Sequence, residues 1–292
     1  MAGSMEEPAA KIARAAHHYC TLKFELSGGE DFHLRPVKSE RHDEGREYRF
    51  RVGEIEPIDS AWPLVIGDCL FNLRAALDHL VFQLHVRSAR GRLTDAAARA
   101  SEFQIFDTQP IYDSGEKKGL PIPTSEWRGI KRLGRRDRAA IEWLQPYKGW
   151  DPRFAGRTQI GPARLVLSEI NGLNNIDKHR QLHLIRQFVS AVPIPNFLPQ
   201  YGFRSHPAFR VPLEPNAYVD RWTFTTPPPP EHMHMHRGVY EAVALVQGSE
   251  RIQVLPWLRG TIAVTWRTIS RFSNRFPPLD EPIDIDALLR WP

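Results

Sequence analysis

Acids, bases and cations recur at helical spacing in two stretches of this chain. Between residues 61 and 87, Asp68, Asn72, His79 and Gln83 fall on one side when positions advance by 100° each, with small Ala75 and Ala76 beside them. Ile66, Leu70, Leu73, Leu77, Leu80 and Leu84 make a second, wholly apolar stripe on the same segment. Between 162 and 190, Glu169, Asp177, Arg180 and His183 fall on the side that also carries Leu165, Val166, Ile170, Leu173, Ile176 and Leu184, whereas Lys178 and His179 point elsewhere. A helix that is apolar on most sides is normally buried, so these polar groups are expected inside the protein or along a cleft. Buried charges need partners, which for Arg180 means Glu169, Asp177 or a group on the other helix.

Two readings of the stripes stay open. They can pair with one another as a structural network that sets helix register, as in a non-enzymatic interaction protein. Alternatively they line a pocket between the two long helices that binds a small molecule or moves protons on it. In the second reading His79, Glu169 and Arg180 are the catalytic candidates, and Asp68, Asn72, Asp177 and His183 hold the substrate.

Charge is concentrated elsewhere too. Arg128, Lys131, Arg132, Arg135, Arg136 and Arg138 lie within eleven residues, broken only by Asp137. Such a run contacts phosphates or forms a solvated surface, and the lack of interleaved aromatics argues against single-strand stacking. His232, His234 and His236 alternate with Met233 and Met235; on a strand they would line one face, a geometry suited to copper, nickel or zinc. They follow Pro227–Pro230 and read as surface histidines, so no metal is expected there. A di-iron bundle needs paired Glu-x-x-His, which is missing. No phosphate-binding glycine loop, dinucleotide fingerprint, Cys-x-x-Cys, His-Glu-x-x-His or Gly-x-Ser-x-Gly occurs, and no cofactor is expected.

The elements that must position these groups follow from periodicity and punctuation. Helices are expected at 8–27, 61–87, 125–133, 136–145, 162–190 and 253–274, the last with Leu255, Leu258, Ile262, Trp266, Ile269 and Phe272 on one face. A hairpin is expected near 32–38 and 46–54, turning at Asp43-Glu44-Gly45, with Tyr48, Phe50 and Val52 alternating against Arg49, Arg51 and Gly53. Proline crowds 193–230, with short strands near 208–212, 218–225 and 238–247. The tail is expected to dock through Leu288, Leu289 and Trp291. The fold class is α+β: a mainly helical core with a small antiparallel sheet or hairpins packed on it. A single domain is expected over 6–292, with the helical core in 6–191 and the strand segment and last helix in 192–292. Met1-Ala2-Gly3-Ser4-Met5 reads as a cloning remnant before a native start at Met5.

The 292 residues carry a formal net charge of +5, a mildly basic balance that permits an anionic partner without demanding one. Cys20 and Cys69 both sit in apolar-periodic segments and read as reduced and buried. No apolar run approaches the roughly 18 residues needed to span a bilayer, so no membrane association is expected and a cytoplasmic location is.

The blocks Ile66-Gly67-Asp68-Cys69-Leu70-Phe71-Asn72-Leu73-Arg74-Ala75-Ala76-Leu77-Asp78-His79-Leu80, Phe103-Gln104-Ile105-Phe106, Leu144-Gln145-Pro146-Tyr147 and Leu173-Asn174-Asn175-Ile176-Asp177-Lys178-His179-Arg180 resemble a widespread bacterial family without an assigned activity. Its members show G-D-x-x-x-N-L-R-x-A-L-D-H, F-P-I-F, L-Q-P-Y and I-D-K-H-R in that order; Gln104 departs from the usual proline. The match covers about residues 10–190 and supplies a grouping rather than a mechanism.

Arg74 and His79, with four residues between them, also resemble the Arg–His signature of HEPN domains, helical and often dimeric proteins of which many are ribonucleases. That resemblance implies a phosphate-holding arginine, a proton-moving histidine, RNA as partner and a homodimer; His79 is then the acid/base and Arg74 or Arg180 the cation, while Arg128, Lys131, Arg132, Arg135 and Arg136 form the nucleic-acid surface by their charge. A regular helix separates the two side chains by about 140°, and Arg74 paired with Asp78 at i, i+4 is the competing arrangement.

Overall fold

A computed structural model describes residues 3–27, 33–55, 57–90, 93–148, 160–179, 182–191, 198–206, 216–229, 233, 238–247, 250–281 and 283–289. Along the chain these form α1 (Glu6–Ser27), β1 (His33–His42), β2 (Glu47–Val52), α2 (Ala61–Ser88), α3 (Asp95–Arg99), α4 (Arg135–Trp143) and α5 (Ile160–His179). β3 (Leu184–Ala191), β4 (Arg204–Ser205), β5 (Tyr218–Thr223), β6 (Gly238–Gln247), β7 (Glu250–Gln253), α6 (Val254–Ser270) and α7 (Ile285–Leu288) follow. The class is α+β. The chain gathers into two compact units: Met1–Cys20 with Leu64–Leu182 and Leu258–Pro292, and Thr21–Pro63 with His183–Trp257.

The first unit is helical. Ile66, Leu70, Leu73, Leu77, Leu80 and Leu84 of α2 are all fully buried, as their stripe requires. Ile12, Ala15 and Tyr19 of α1 and Leu258, Ile262 and Ile269 of α6 are buried as completely, and Leu289 docks the tail. Residues 3–5 also pack: Met5 is buried and the Ser4 backbone N–H donates to Gln83 Oε1. Neither cysteine is in a disulfide, and the Cys20 thiol donates to the Leu288 carbonyl.

Three sequence expectations need correction in or beside this unit. The helix expected over 162–190 ends at His179, and Leu184–Ala191 is strand β3. A run buried on both faces carries no clear period, so helix and strand look alike there. The inner face of α5 is Leu167, Ile170, Leu173 and Asn174; Leu165 and Ile176 are exposed. The helix expected over 125–133 is instead a chain of turns joined by Trp127 N–H to Thr124, Ile130 N–H to Trp127 and Leu133 N–H to Ile130. Their three-residue step buries Trp127, Ile130 and Leu133, which imitates helical spacing.

The second unit holds the strands, all antiparallel, in the order β3-β6-β1-β2-β5-β4 with β7 added to β6. His33–Pro36 of β1 pairs with β6 and Val37–His42 pairs with β2, so one strand joins two ladders. The β1–β2 turn runs through Asp43, Glu44 and Gly45 at φ of 45°, 52° and 93°. Gly45 fits because a Cβ there would meet the Arg41 guanidinium at 2.8 Å. Tyr48, Phe50 and Val52 of β2 pack with Val219, Trp222, Phe224 and Leu198. The buried Asp220 carboxylate accepts hydrogen bonds from Ser205 Oγ, the His206 N–H and Trp222 Nε1. Among the described residues no helix is long and apolar enough to cross a membrane.

Candidate active site on the helical unit

α2 and α5 touch at two levels. Near one end, the Asp177 carboxylate lies on the backbone of Gly67: a Cβ at Gly67 would sit 2.5 and 2.6 Å from its two oxygens. Further along, Arg74 Nη1 reaches Asn171 Oδ1 at 3.5 Å. Numbers rise along α2 as they fall along α5, so the two helices run antiparallel. A side chain at position 67 would force the Asp177 carboxylate to shift.

Asp177 is half-buried and, among the described residues, its carboxylate has no hydrogen-bonding or ion-pair partner. Burial, followed by the negative charge of Asp68, raises its pKa above the usual carboxylate value. Asp68 is exposed and also acts electrostatically on His18 of α1. His18 itself is held below the ordinary histidine value, first by burial and next by Arg14. Asp68, Asp177 and His18 thus form one electrostatically linked group on α1, α2 and α5. Asn72 is buried and its amide donates to the Asp68 backbone carbonyl one turn back.

The next polar group along α2 is built differently. Arg74 is buried, and its Nη2 meets Asp78 at 3.3 Å and Glu102 at 3.1 Å. Asp78 Oδ1 accepts the Phe103 N–H at 2.9 Å. Burial raises the Asp78 pKa despite the opposing pull of Arg74. This is a satisfied network tying α2 to the 102–103 segment and α5. His79 turns away from it: Nδ1 lies 3.0 Å from Glu7 of α1, which also accepts from Gln83 Nε2. Arg74 and His79 therefore serve different neighbours and do not share a site. His79 is half-exposed, and Glu7, the group at hydrogen-bonding distance of its Nδ1, is on α1.

The remaining candidates scatter. Glu169 is half-buried on α5. Arg180 lies outside the described residues, as do His232, His234 and His236. His183 is exposed just before β3, not on the helix that carries Asp177. Among the described residues no group of three His, Cys, Asp or Glu side chains could hold a metal ion.

Arg128, Lys131, Arg132, Arg135 and Arg136 are all exposed. Asp137, the acid that interrupts their run, is turned inward and buried, with Arg87 Nη2 at 2.5 Å and Arg275 Nε at 2.7 Å. The outward face of the run is thereby purely cationic, and none of the five pairs with a carboxylate among the described residues. Arg138 is used internally, donating to the Lys131 and Leu133 carbonyls.

His18, Glu7, Glu102 and the Arg87–Asp137–Arg275 cluster escape a reading of the sequence. No local pattern links residues 28 or more positions apart. Only an acid amid six cations hinted that Asp137 had another task. Compared with family models, with curated proteins and with solved structures, the chain finds no match.

Proposed function

We propose that the helical unit carries a small-molecule acid–base site centred on Asp177. The observation that carries this reading is a half-buried carboxylate, unpartnered among the described residues, seated on Gly67 beside the charge of Asp68. Such a pair is stabilised by taking up a proton or a cationic group. A raised pKa suits Asp177 to donate or accept a proton, while exposed Asp68 holds the positive end of a ligand. The ligand class is a small molecule bearing an ammonium or an exchangeable proton.

Asp177→Asn tests it in two ways. Because folding raises the Asp177 pKa, its protonated form is favoured in the native state. That contribution is present below the unfolded pKa and is lost as pH rises through the folded one. The amide variant should therefore melt higher than wild type at pH 7, with the gain shrinking as pH falls through the carboxylate range. A thermal-shift screen with small amines should show stabilisation of wild type that Asp177→Asn lacks. Equal responses in both proteins, or none in either, overturn the reading.

A second reading has its own observation: the inward turn of Asp137 leaves five uncompensated cations facing solvent. We propose that this face binds RNA through its phosphates, without the Arg74–His79 chemistry. Changing Arg132, Arg135 and Arg136 to alanine should weaken RNA binding. It should also flatten the dependence of log K on log salt by about 2, at roughly 0.7 per single-strand phosphate contact. An unchanged slope removes this reading and leaves the first untouched.

A further inference from the structure

The strand unit has a cleft of about 960 Å³ whose lining comes from β3, β7 and the first turn of α6. Pairing register places its two amides on one face. Gln187 of β3 lies opposite Ala242 of β6, and Gln253 of β7 lies opposite Ala244. Residues directly opposite in a sheet, and residues two apart along a strand, share a face. Gln187, Ala242, Ala244 and Gln253 therefore stand on one face, with two methyl-sized side chains between two amides. Trp257 and Pro256 wall the space, and Arg251 also lines it.

Gln187 is 3% exposed, and its Oε1 is buried with no hydrogen-bond partner among the described residues. Buried amide oxygens are nearly always satisfied, so an orphan beside an open cleft marks a missing donor. Around that acceptor stand a broad indole face, a second amide and a guanidinium that pairs with no carboxylate among the described residues. An indole takes a planar ring, an amide reads the polar edge of such a ring, and arginine takes a phosphate. Glu250, also on the lining, can accept from sugar hydroxyls.

We propose that this cleft binds a mononucleotide, its base on Trp257, a base N–H donated to Gln187 Oε1 and its phosphate at Arg251. The inference stands apart from both readings of the helical unit.

Calorimetry and saturation-transfer NMR with AMP, GMP, CMP and UMP at millimolar concentration test it on the full chain. At least one nucleotide should bind saturably. Gln187→Leu and Trp257→Ala should each weaken it by about tenfold or more. Gln187→Leu should also raise the melting temperature of the unliganded protein, because it removes the orphan acceptor; a merely structural glutamine would not behave so. Arg251 is exposed, so Arg251→Ala keeps the test sharp if a core variant misfolds: it should weaken nucleotide binding and spare the matching nucleoside. Absence of saturable binding by all four nucleotides, or affinity indifferent to Gln187→Leu and Arg251→Ala, overturns the proposal.

Discussion

Asp137→Asn is expected to destabilise the helical unit by about 3 kcal/mol, the scale for removing one member of a buried ion pair. Asp137 is buried and is the carboxylate between Arg87 and Arg275. Each arginine is also committed elsewhere: Arg87 lies 5.7 Å from the Phe276 ring centroid and Arg275 lies 4.6 Å from that of Phe272. Neither can swing freely into water when the acid is neutralised. Two like charges would then face each other across an amide. Urea unfolding should show a lower midpoint at an unchanged slope, since the surface exposed on unfolding stays the same. A loss below about 0.5 kcal/mol, the scale of ordinary surface substitutions, would mean that the arginines rehydrate and that the cluster does not hold the fold.

Arg74→Met is expected to cost a similar amount, about 3 kcal/mol, for a related reason. Methionine keeps the apolar stem that packs in the helical unit but leaves Asp78 without its cation. Asp78 is already held above the ordinary carboxylate pKa by burial, and Arg74 is the principal group pulling the other way. Without it, the carboxylate should titrate still higher. The loss of stability should then be greatest at neutral pH and shrink as pH falls through the carboxylate range, where Asp78 takes up a proton. Asp78→Asn in the Arg74→Met background should recover part of the loss, giving a coupling of about 1–2 kcal/mol in a double-mutant cycle. Strict additivity would show that Arg74 is held by Glu102 and Asn171 instead. Either way, a defect in Arg74 variants has to be separated from unfolding before it is read as lost chemistry.

The position of Asp177 carries a wider lesson about this chain. Its carboxylate is half-buried, next to another acid, and seated against the Gly67 backbone. Structural networks do not look like this. The Arg74, Asp137 and Asp220 groups are each closed by cations or donors at hydrogen-bonding distance.

Much of the fold was legible before any coordinates. The α2 apolar stripe, the β1–β2 hairpin with its turn, the alternation on β2, the buried face of α6 and the docking tail all follow from local periodicity and turn chemistry. Legibility failed where period was ambiguous. Leu184–Ala191 pairs with β6, roughly 50 to 60 residues later in the chain, and that pairing decides that it is a strand. The 125–133 stretch failed because turns with a three-residue step bury the same positions as a helix.

The candidate site divides in the same way. Sequence alone marked Asp68, Asn72 and Asp177 as polar groups on largely apolar helices, because a projection around one axis needs only local geometry. It could not assign partners, since partnership depends on which neighbouring element each face meets. Tertiary structure put Asp177 on Gly67, sent His79 to Glu7, closed Arg74 with Asp78 and Glu102, and turned Asp137 away from the cations beside it. The physical reason is range. Backbone propensity and side-chain period act over a few residues, whereas the energy of a buried charge is set by whatever long-range packing brings within about 4 Å of it.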